Sequence, residues 1–232
     1  MNKFLLKHAK LKPKIAVVIS DKEANNTIKK LSGIDILEIR VDQFKKLNLE
    51  YITDIVKIRK QTGLPLILTV RSKEEGGEKK ITDTVKLEIF KRAIRLVDVV
   101  DIELKSDIIS AVVKLAKKNK KTVIVSFHNF KKTPVKKVLT GIVKKAKKLG
   151  ADIVKIATQA NKPDDVVNLM EFTRKYKAQN LITISLGKTG NISRLISPLF
   201  GSLIVYSYIN KPYGTGQLPL TVLQDHLRLY YH

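Results

Sequence analysis

Eight short runs rich in valine and isoleucine alternate with longer amphipathic stretches along the whole chain. The runs lie at 14–20, 34–42, 65–72, 97–104, 122–130, 151–158, 181–188 and 203–209. Their starts are about 20 to 32 residues apart, which is the length of one strand–helix unit, so the pattern predicts parallel strands joined by helices. The helices are predicted at 22–31, 47–61, 82–96, 106–119, 135–149, 163–178, 191–200 and 218–230.

Eight such units favour a closed (β/α)8 TIM barrel over an open doubly wound sheet. The 232 residues suit one barrel of this kind, and neither a linker nor a shift in composition divides them. We therefore expect a single domain over residues 1–232. In such barrels the chemistry lies at the C-terminal ends of the strands and in the loops that follow them. Polar residues at those positions are the candidate site.

Composition excludes several classes of protein and of site. The chain has no cysteine, which excludes disulfides, zinc–thiolate sites and a cysteine nucleophile. No apolar run approaches the length of a membrane span, and the apolar run at 4–6 is too short for a secretory signal. We expect a cytoplasmic protein that does not bind a membrane.

The net charge of +24 raises the possibility of a nucleic-acid partner. However, 37 of the 45 basic residues are lysine, whereas nucleic-acid readers favour arginine and interleave aromatic residues. The lysines lie in runs of helical period, which favours solvated helix faces. We therefore expect no nucleic-acid binding.

Charged residues close the second predicted strand. Glu38 and Arg40 lie two residues apart, on the face opposite Ile39 and Val41, so they are predicted to point into the barrel mouth. An ordinary ion pair between Glu38 and Arg40 is the alternative interpretation.

The next three strands end in further polar residues. Arg71 closes the third strand and Glu75 follows it, while Asp101 and Glu103 lie two apart on the fourth. His128 lies at the end of the fifth. Asp101 and Glu103 fit either the site's lower layer or the core, and an isolated strand-end histidine is also compatible with a structural role.

Lys155 is the most informative position, because it lies inside a predicted strand with apolar neighbours on both sides. Lysine is almost never buried without a partner. Burial and nearby cations lower the pKa of such an amine towards the range of a nucleophile, and a neutral amine forms a Schiff base with a ketone or aldehyde. A strand-edge lysine that reaches solvent is the alternative.

The seventh loop offers a binding surface. Gly187 and Gly190 let a ligand approach the backbone, and Arg194 is suited to clamp a carboxylate. The pattern at 187–189 lacks the earlier glycine of a phosphate loop, since position 182 is isoleucine. With His128 the only histidine placed at a strand end, a metal site is not expected.

Taken together, these segments resemble type I 3-dehydroquinate dehydratase, the Schiff-base enzyme of the shikimate pathway. The resemblance extends from the first strand to the final loop. It is carried by the order and spacing of the segments at 38–42, 69–71, 75–77, 126–128, 154–157, 187–190, 193–194 and 216–217.

The resemblance implies a barrel without metal or organic cofactor, commonly a homodimer, whose partner is the small molecule 3-dehydroquinate. The reaction is a syn elimination of water that gives 3-dehydroshikimate. Lys155 is implied to form the imine with the C3 ketone, and His128 to act as general acid and base. Glu75 would orient the imidazole of His128 and support its charge.

The resemblance also implies the substrate contacts. Glu38 and Arg40 would lie beside the ring hydroxyls and the lysine, and Arg71 would bind substrate hydroxyls. Arg194 and Gln217 would hold the substrate carboxylate.

Two positions depart from the family pattern. Asn129 follows His128 where many relatives have aspartate, so carboxylate help from that position is absent. The last loop reads Tyr213-Gly-Thr215-Gly-Gln217, and a hydroxyl contact from it would come from Tyr213 or Thr215. This choice stays open from the sequence.

Two other functions compete with this interpretation. A lysine-dependent aldolase acting on a phosphorylated sugar would explain Lys155 but gives no reason for the pattern from Arg194 to Gln217. A basic nucleic-acid-binding barrel would predict salt-dependent binding to any polyanion, independent of Lys155.

Overall fold

The computed structural model describes residues 13–23, 28 and 32–231, in which parallel strands form one curved sheet. The sheet has the order β7-β6-β5-β4-β3-β2-β1-β8-β9. The strands are β1 (Lys14–Ile19), β2 (Ile36–Arg40), β3 (Leu66–Thr69), β4 (Val99–Glu103), β5 (Thr122–Asn129), β6 (Ile153–Gln159), β7 (Leu181–Leu186), β8 (Ile204–Tyr208) and β9 (Leu218–Pro219).

The ring closes where β7 meets the segment that leads into β8. Leu181 forms a parallel bridge with Ser202, and the Leu203 N–H donates to the Leu181 carbonyl at 2.9 Å. The Ser202 hydroxyl also accepts the Thr183 N–H at 3.0 Å. The first eight strands therefore form the predicted (β/α)8 barrel. The sequence did not predict β9, which adds two residues beside β8.

Helices connect the strands and cover the outside of the barrel. Those described are α1 (Leu49–Lys60), α2 (Asp83–Ala93), α3 (Ile109–Lys118), α4 (Lys136–Lys148), α5 (Pro163–Lys175), α6 (Ser193–Ile196) and α7 (Leu220–Tyr230). The Asn48 side chain caps α1 by accepting the Tyr51 N–H at 2.8 Å. Gly63 and Gly150 follow α1 and α4 at positive φ, which glycine adopts without strain. None of the helices in the described ranges is long and apolar enough to cross a membrane.

Two of the predicted helices differ from those in the structure, and a third lies largely outside the described residues. The stretch 191–200 is not one helix: α6 has only four residues and is followed by a 3-10 turn, Ser197–Phe200, which contains Pro198. The stretch predicted from 218 begins with β9 and becomes helical only at Leu220. The predicted helix at 22–31 lies largely outside the described residues.

Along the even-numbered strands, the barrel interior changes from apolar to polar within two residues. A buried apolar cluster lines the interior, and four of its members come from these strands: Ile36, Val99, Ile153 and Ile204. Two residues later on the same strands lie Glu38, Asp101, Lys155 and Tyr206. Alternate strands of a TIM barrel contribute one layer of side chains, so these four positions form the next layer towards the mouth.

We expect Ile153→Ala to lower the free energy of unfolding by about 2–5 kcal/mol, because it leaves a cavity in a fully buried layer. Urea denaturation measures the change. Val138→Ala is the control, since Val138 is 49% exposed on α4 and its truncation removes little buried surface. Equal losses in the two variants would contradict a packed barrel interior.

Candidate active site

The Lys155 amine lies at the centre of the polar layer and is contacted from three other strands. Its Nζ is 3.3 Å from Glu38 Oε1 on β2 and 3.3 Å from Asp101 Oδ2 on β4. It also lies 4.2 Å from the ring centroid of Tyr206 on β8. Lys155 is 5% exposed, which is inconsistent with a strand-edge lysine reaching solvent. The charged groups in contact with the amine are the carboxylates of Glu38 and Asp101, whereas the family resemblance implied Glu38 and Arg40 beside it.

Arg71 follows β3 towards the mouth and links Asp101 of this layer to Glu103. One guanidinium nitrogen donates to Asp101 Oδ1 at 2.8 Å, and another donates to Ser126 Oγ at 2.7 Å and lies 3.2 Å from Glu103 Oε1. Burial lowers the pKa of Arg71, but Asp101 and Glu103 outweigh it and raise the pKa above its usual value. For Asp101, burial raises the pKa, but Arg71 and then Lys155 lower it well below its usual range.

A second buried lysine extends the network to helix α2. Lys86 is 2% exposed, and its Nζ lies 2.5 Å from Glu103 Oε2 and donates to Ser72 Oγ at 3.0 Å. Burial raises the pKa of Glu103, but Arg71 and Lys86 outweigh it and lower the pKa. The network thus pairs three cations with three carboxylates: Lys86, Arg71 and Lys155 with Glu103, Asp101 and Glu38.

His128, on the strand that pairs with the strand of Lys155, forms a pair with Glu75. Glu75 ends a 3-10 turn after β3, and its Oε2 accepts the His128 backbone N–H at 3.1 Å. The same oxygen lies 2.9 Å from His128 Nδ1. When Glu75 is ionised, Nδ1 must carry the proton, which leaves the Nε2 lone pair free to accept one.

The surroundings keep the imidazole neutral. Burial, followed by the charges of Arg71 and Lys155, lowers the pKa of His128 well below its usual value. Burial also raises the pKa of Glu75 to about 7, although Arg71 opposes this rise. At neutral pH the pair therefore consists of a neutral imidazole and a carboxyl group near its midpoint, a combination suited to proton transfer.

Arg40 does not pair with Glu38. Its guanidinium makes two hydrogen bonds to Asp42, at 2.9 and 2.8 Å, and one to the Gly76 carbonyl at 3.3 Å. The Asp42 carboxylate also accepts the backbone N–H groups of Arg71 and Glu78, at 3.3 and 3.2 Å. The alternative of a Glu38–Arg40 ion pair is therefore wrong, and Asp42 anchors the turn that carries Glu75.

Arg194 is a buried cation without a described carboxylate partner. It lies on α6, is 4% exposed, and donates to the Thr215 carbonyl at 3.3 Å. Its Nε has no hydrogen-bond partner among the described residues. Burial lowers the pKa of Arg194 to about 10. A guanidinium in this state is suited to bind an anion that enters the mouth.

The last loop orients the Gln217 side chain, and the Tyr213 hydroxyl has a hydrogen-bond partner within the protein. Gln217 Oε1 accepts the Tyr213 N–H at 2.7 Å, so its amide NH2 is the group left to donate. The Tyr213 hydroxyl donates to Glu23 Oε1 at 2.9 Å. Of the two hydroxyls that the sequence left open, Thr215 is therefore the one without a described side-chain contact.

Sequence reasoning missed three contributors to this site. Tyr206 follows the same two-residue period that revealed Glu38 and Asp101, so the period could have found it. Lys86 could not have been found in this way, because it lies on a helix among many exposed lysines. Asp42 was noted only as part of a motif. In the described residues no group of three or more histidines and carboxylates is arranged to hold a metal ion.

The chain resembles known proteins over most of its length. Residues 15–232 match the family described as Type I 3-dehydroquinase. The 3-dehydroquinate dehydratase of Thermodesulfovibrio yellowstonii is 39% identical over 90% of this chain and 91% of its own length. That of Hydrogenobaculum is 38% identical over 94% of this chain and 99% of its own length.

Solved structures of such enzymes share the fold. The 3-dehydroquinate dehydratase of Geobacillus kaustophilus superposes with a TM-score of 0.87 at 27% identity, covering 94% of this chain and 91% of its own. The type I enzyme of Clostridium difficile, solved with covalently modified comenic acid, gives 0.86 at 33% identity. That comparison covers 94% of this chain and 92% of the other.

The raised pKa of Glu75 predicts a pH-dependent contribution to stability. Because the folded state holds this proton more tightly than the unfolded chain, the contribution is complete below the unfolded pKa and is lost as pH rises through the folded value of about 7. The unmodified chain should therefore lose up to about 3 kcal/mol of unfolding free energy relative to Glu75→Gln between about pH 4 and pH 8. Urea denaturation of both proteins across this range measures the difference, and parallel stability curves would contradict the raised pKa.

Proposed function

We propose that this chain, which belongs to the type I 3-dehydroquinase family, removes water from 3-dehydroquinate through an imine on Lys155. The family membership makes it a hydro-lyase of the shikimate pathway, and it favours neither the aldolase nor the nucleic-acid alternative. The observation that supports the imine is the position of Lys155: a buried amine held between two carboxylates at the mouth of the barrel.

The reaction begins with attack of the neutral Lys155 amine on the C3 carbonyl carbon. The carbonyl oxygen takes one proton from the nitrogen and one from solvent and leaves as water, and the nitrogen is left as a protonated imine beside Glu38 and Asp101, whose negative charges stabilise the cation. The Clostridium difficile relative, solved with covalently modified comenic acid, supports covalent chemistry in a site of this kind.

His128 then moves the proton. Its Nε2 takes a proton from C2, and the electrons of the C–H bond pass towards the imine nitrogen to give a neutral enamine. The enamine electrons return and expel the C1 hydroxyl, which leaves as water with the proton from His128. Hydrolysis of the imine releases 3-dehydroshikimate and regenerates the amine. Glu75 holds the imidazole through Nδ1 during both transfers.

The substrate is held mainly by the seventh and eighth loops. Arg194, which has no described carboxylate partner, and the free NH2 of Gln217 bind the substrate carboxylate. Thr215 supplies the hydroxyl contact, since the hydroxyl of Tyr213 already bonds to Glu23. This binding fixes the ring so that C3 faces the amine.

We also propose that Arg40 and Arg71 contact substrate hydroxyls. Each must share its donors, because the two guanidiniums already bind Asp42 and Asp101. The homodimer implied by the family resemblance and the cytoplasmic setting expected from the composition also stay predictions.

Borohydride reduction in the presence of 3-dehydroquinate should trap an adduct on Lys155, located by peptide mass spectrometry. Lys155→Ala should give no adduct and no dehydroshikimate, because the imine cannot form. Lys118→Ala, which removes an exposed lysine of α3, should behave like the unmodified chain. Turnover by Lys155→Ala would rule out the imine mechanism.

His128→Ala should still form the imine but lose about 10²- to 10⁴-fold in kcat, because the elimination lacks its general base. Single-turnover assays measure dehydroshikimate release, and borohydride trapping measures the imine in the same sample. His226→Ala, on α7 and outside the site, is the matched control. Normal turnover by His128→Ala would assign the base to another residue.

A further inference from the structure

Tyr206 places an aromatic face against the nitrogen that reacts. The Lys155 Nζ lies 4.2 Å from the centroid of its ring, well within the range of a cation–π contact. Tyr206 is 3% exposed, so water does not screen this contact. The ring therefore completes the surroundings of the nitrogen, together with Glu38 and Asp101 at 3.3 Å each.

The barrel scaffold fixes this geometry. Glu38, Asp101, Lys155 and Tyr206 each come from an even-numbered strand, one residue from each. Tyr206 lies opposite Ala16 of β1 in the strand register, and the apolar cluster that fills the barrel includes both. Because the ring is packed on this layer, it cannot turn away when the nitrogen changes from an amine to an imine.

The Tyr206 hydroxyl takes no part in holding the residue. It is buried and has no hydrogen-bond partner among the described residues. Burial, with the added charges of Glu38 and Asp101, raises the pKa of Tyr206 well above its usual value, so the phenol keeps its proton. The group presented to the nitrogen is thus a neutral ring with a negative face, and removal of the hydroxyl leaves no partner unpaired.

From this contact we propose that the ring of Tyr206 keeps the imine nitrogen protonated, which is the state that withdraws electrons from C2. This inference rests on the proposed function. An imine that loses its proton becomes neutral and no longer draws electrons from the C–H bond. A ring face favours the cation over that neutral form. The other charged and titratable groups that act on this pocket are Glu38, Asp101, Arg71, His128 and Arg40.

A graded series of rings at position 206 tests the proposal. Tyr206→Phe keeps the ring face and is the reference of the series. Fluorinated phenylalanines, with one, two or three fluorines, keep the shape of the ring and progressively weaken its negative face. Tyr206→Leu removes the face altogether. The readout is the pH at which kcat falls on the alkaline side, measured together with the pH dependence of borohydride trapping.

The alkaline midpoint should fall step by step with fluorination and should lie about 0.5–1.5 pH units lower in Tyr206→Leu. A merely structural role would not produce this gradation, because the fluorinated rings fill the same space. A midpoint that is equal across the phenylalanine series, with normal trapping on Lys155, would overturn the role of Tyr206 alone. Absence of an adduct in the unmodified chain would overturn the proposed function and this inference together.

Discussion

The site depends on a buried row of alternating charges that runs from helix α2 to the barrel mouth. Lys86, Glu103, Arg71, Asp101 and Lys155 follow one another, and each is an ion-pair partner of the next. Taking a single charge out of water costs several kcal/mol, which is a large share of a domain's stability, whereas buried charges that compensate one another are tolerated. Glu38, which also contacts Lys155, balances the third cation of the row, so the reactive amine is buried together with five other charges.

This arrangement gives the Lys155 nitrogen and the His128 imidazole different electrostatic surroundings. The Lys155 nitrogen is surrounded by the carboxylates of Glu38 and Asp101, which favour a positive charge on it, and by the ring of Tyr206. The base lies on the next strand, where Arg71 and Lys155 help to keep the imidazole uncharged. The cationic intermediate on Lys155 and the neutral imidazole of His128 are thus placed on adjacent strands, β6 and β5. The charge on the Lys155 nitrogen and the neutrality of the imidazole can therefore exist together.

Much of this architecture could be predicted because it follows the period of the sequence. The eight strands, and the inward positions of Glu38, Asp101 and Lys155, follow from the alternation of apolar and polar residues. Pairing across the barrel could not be predicted, because it depends on strand register rather than on sequence distance. Arg40 shows a different limit: Glu38 and Asp42 both lie two residues from it in the sequence, and only the fold shows that its ion-pair partner is Asp42. Lys86 was hidden for a different reason, since one buried lysine in a helical pattern looks like the many exposed ones.

The barrel closure between β7 and β8, the seam, is held by fewer contacts than the rest of the sheet. Between β7 and β8, the described residues have a single bridge and a few hydrogen bonds, whereas β1 to β7 are paired along continuous ladders. The groups proposed to do the chemistry project from the continuous ladders. Arg194 and Gln217, proposed to hold the carboxylate, lie in the loops on either side of the seam. Substitutions that change how the substrate carboxylate is bound can therefore occur there without moving Lys155 or His128. Substrate preference can thus evolve at the seam without loss of the reaction.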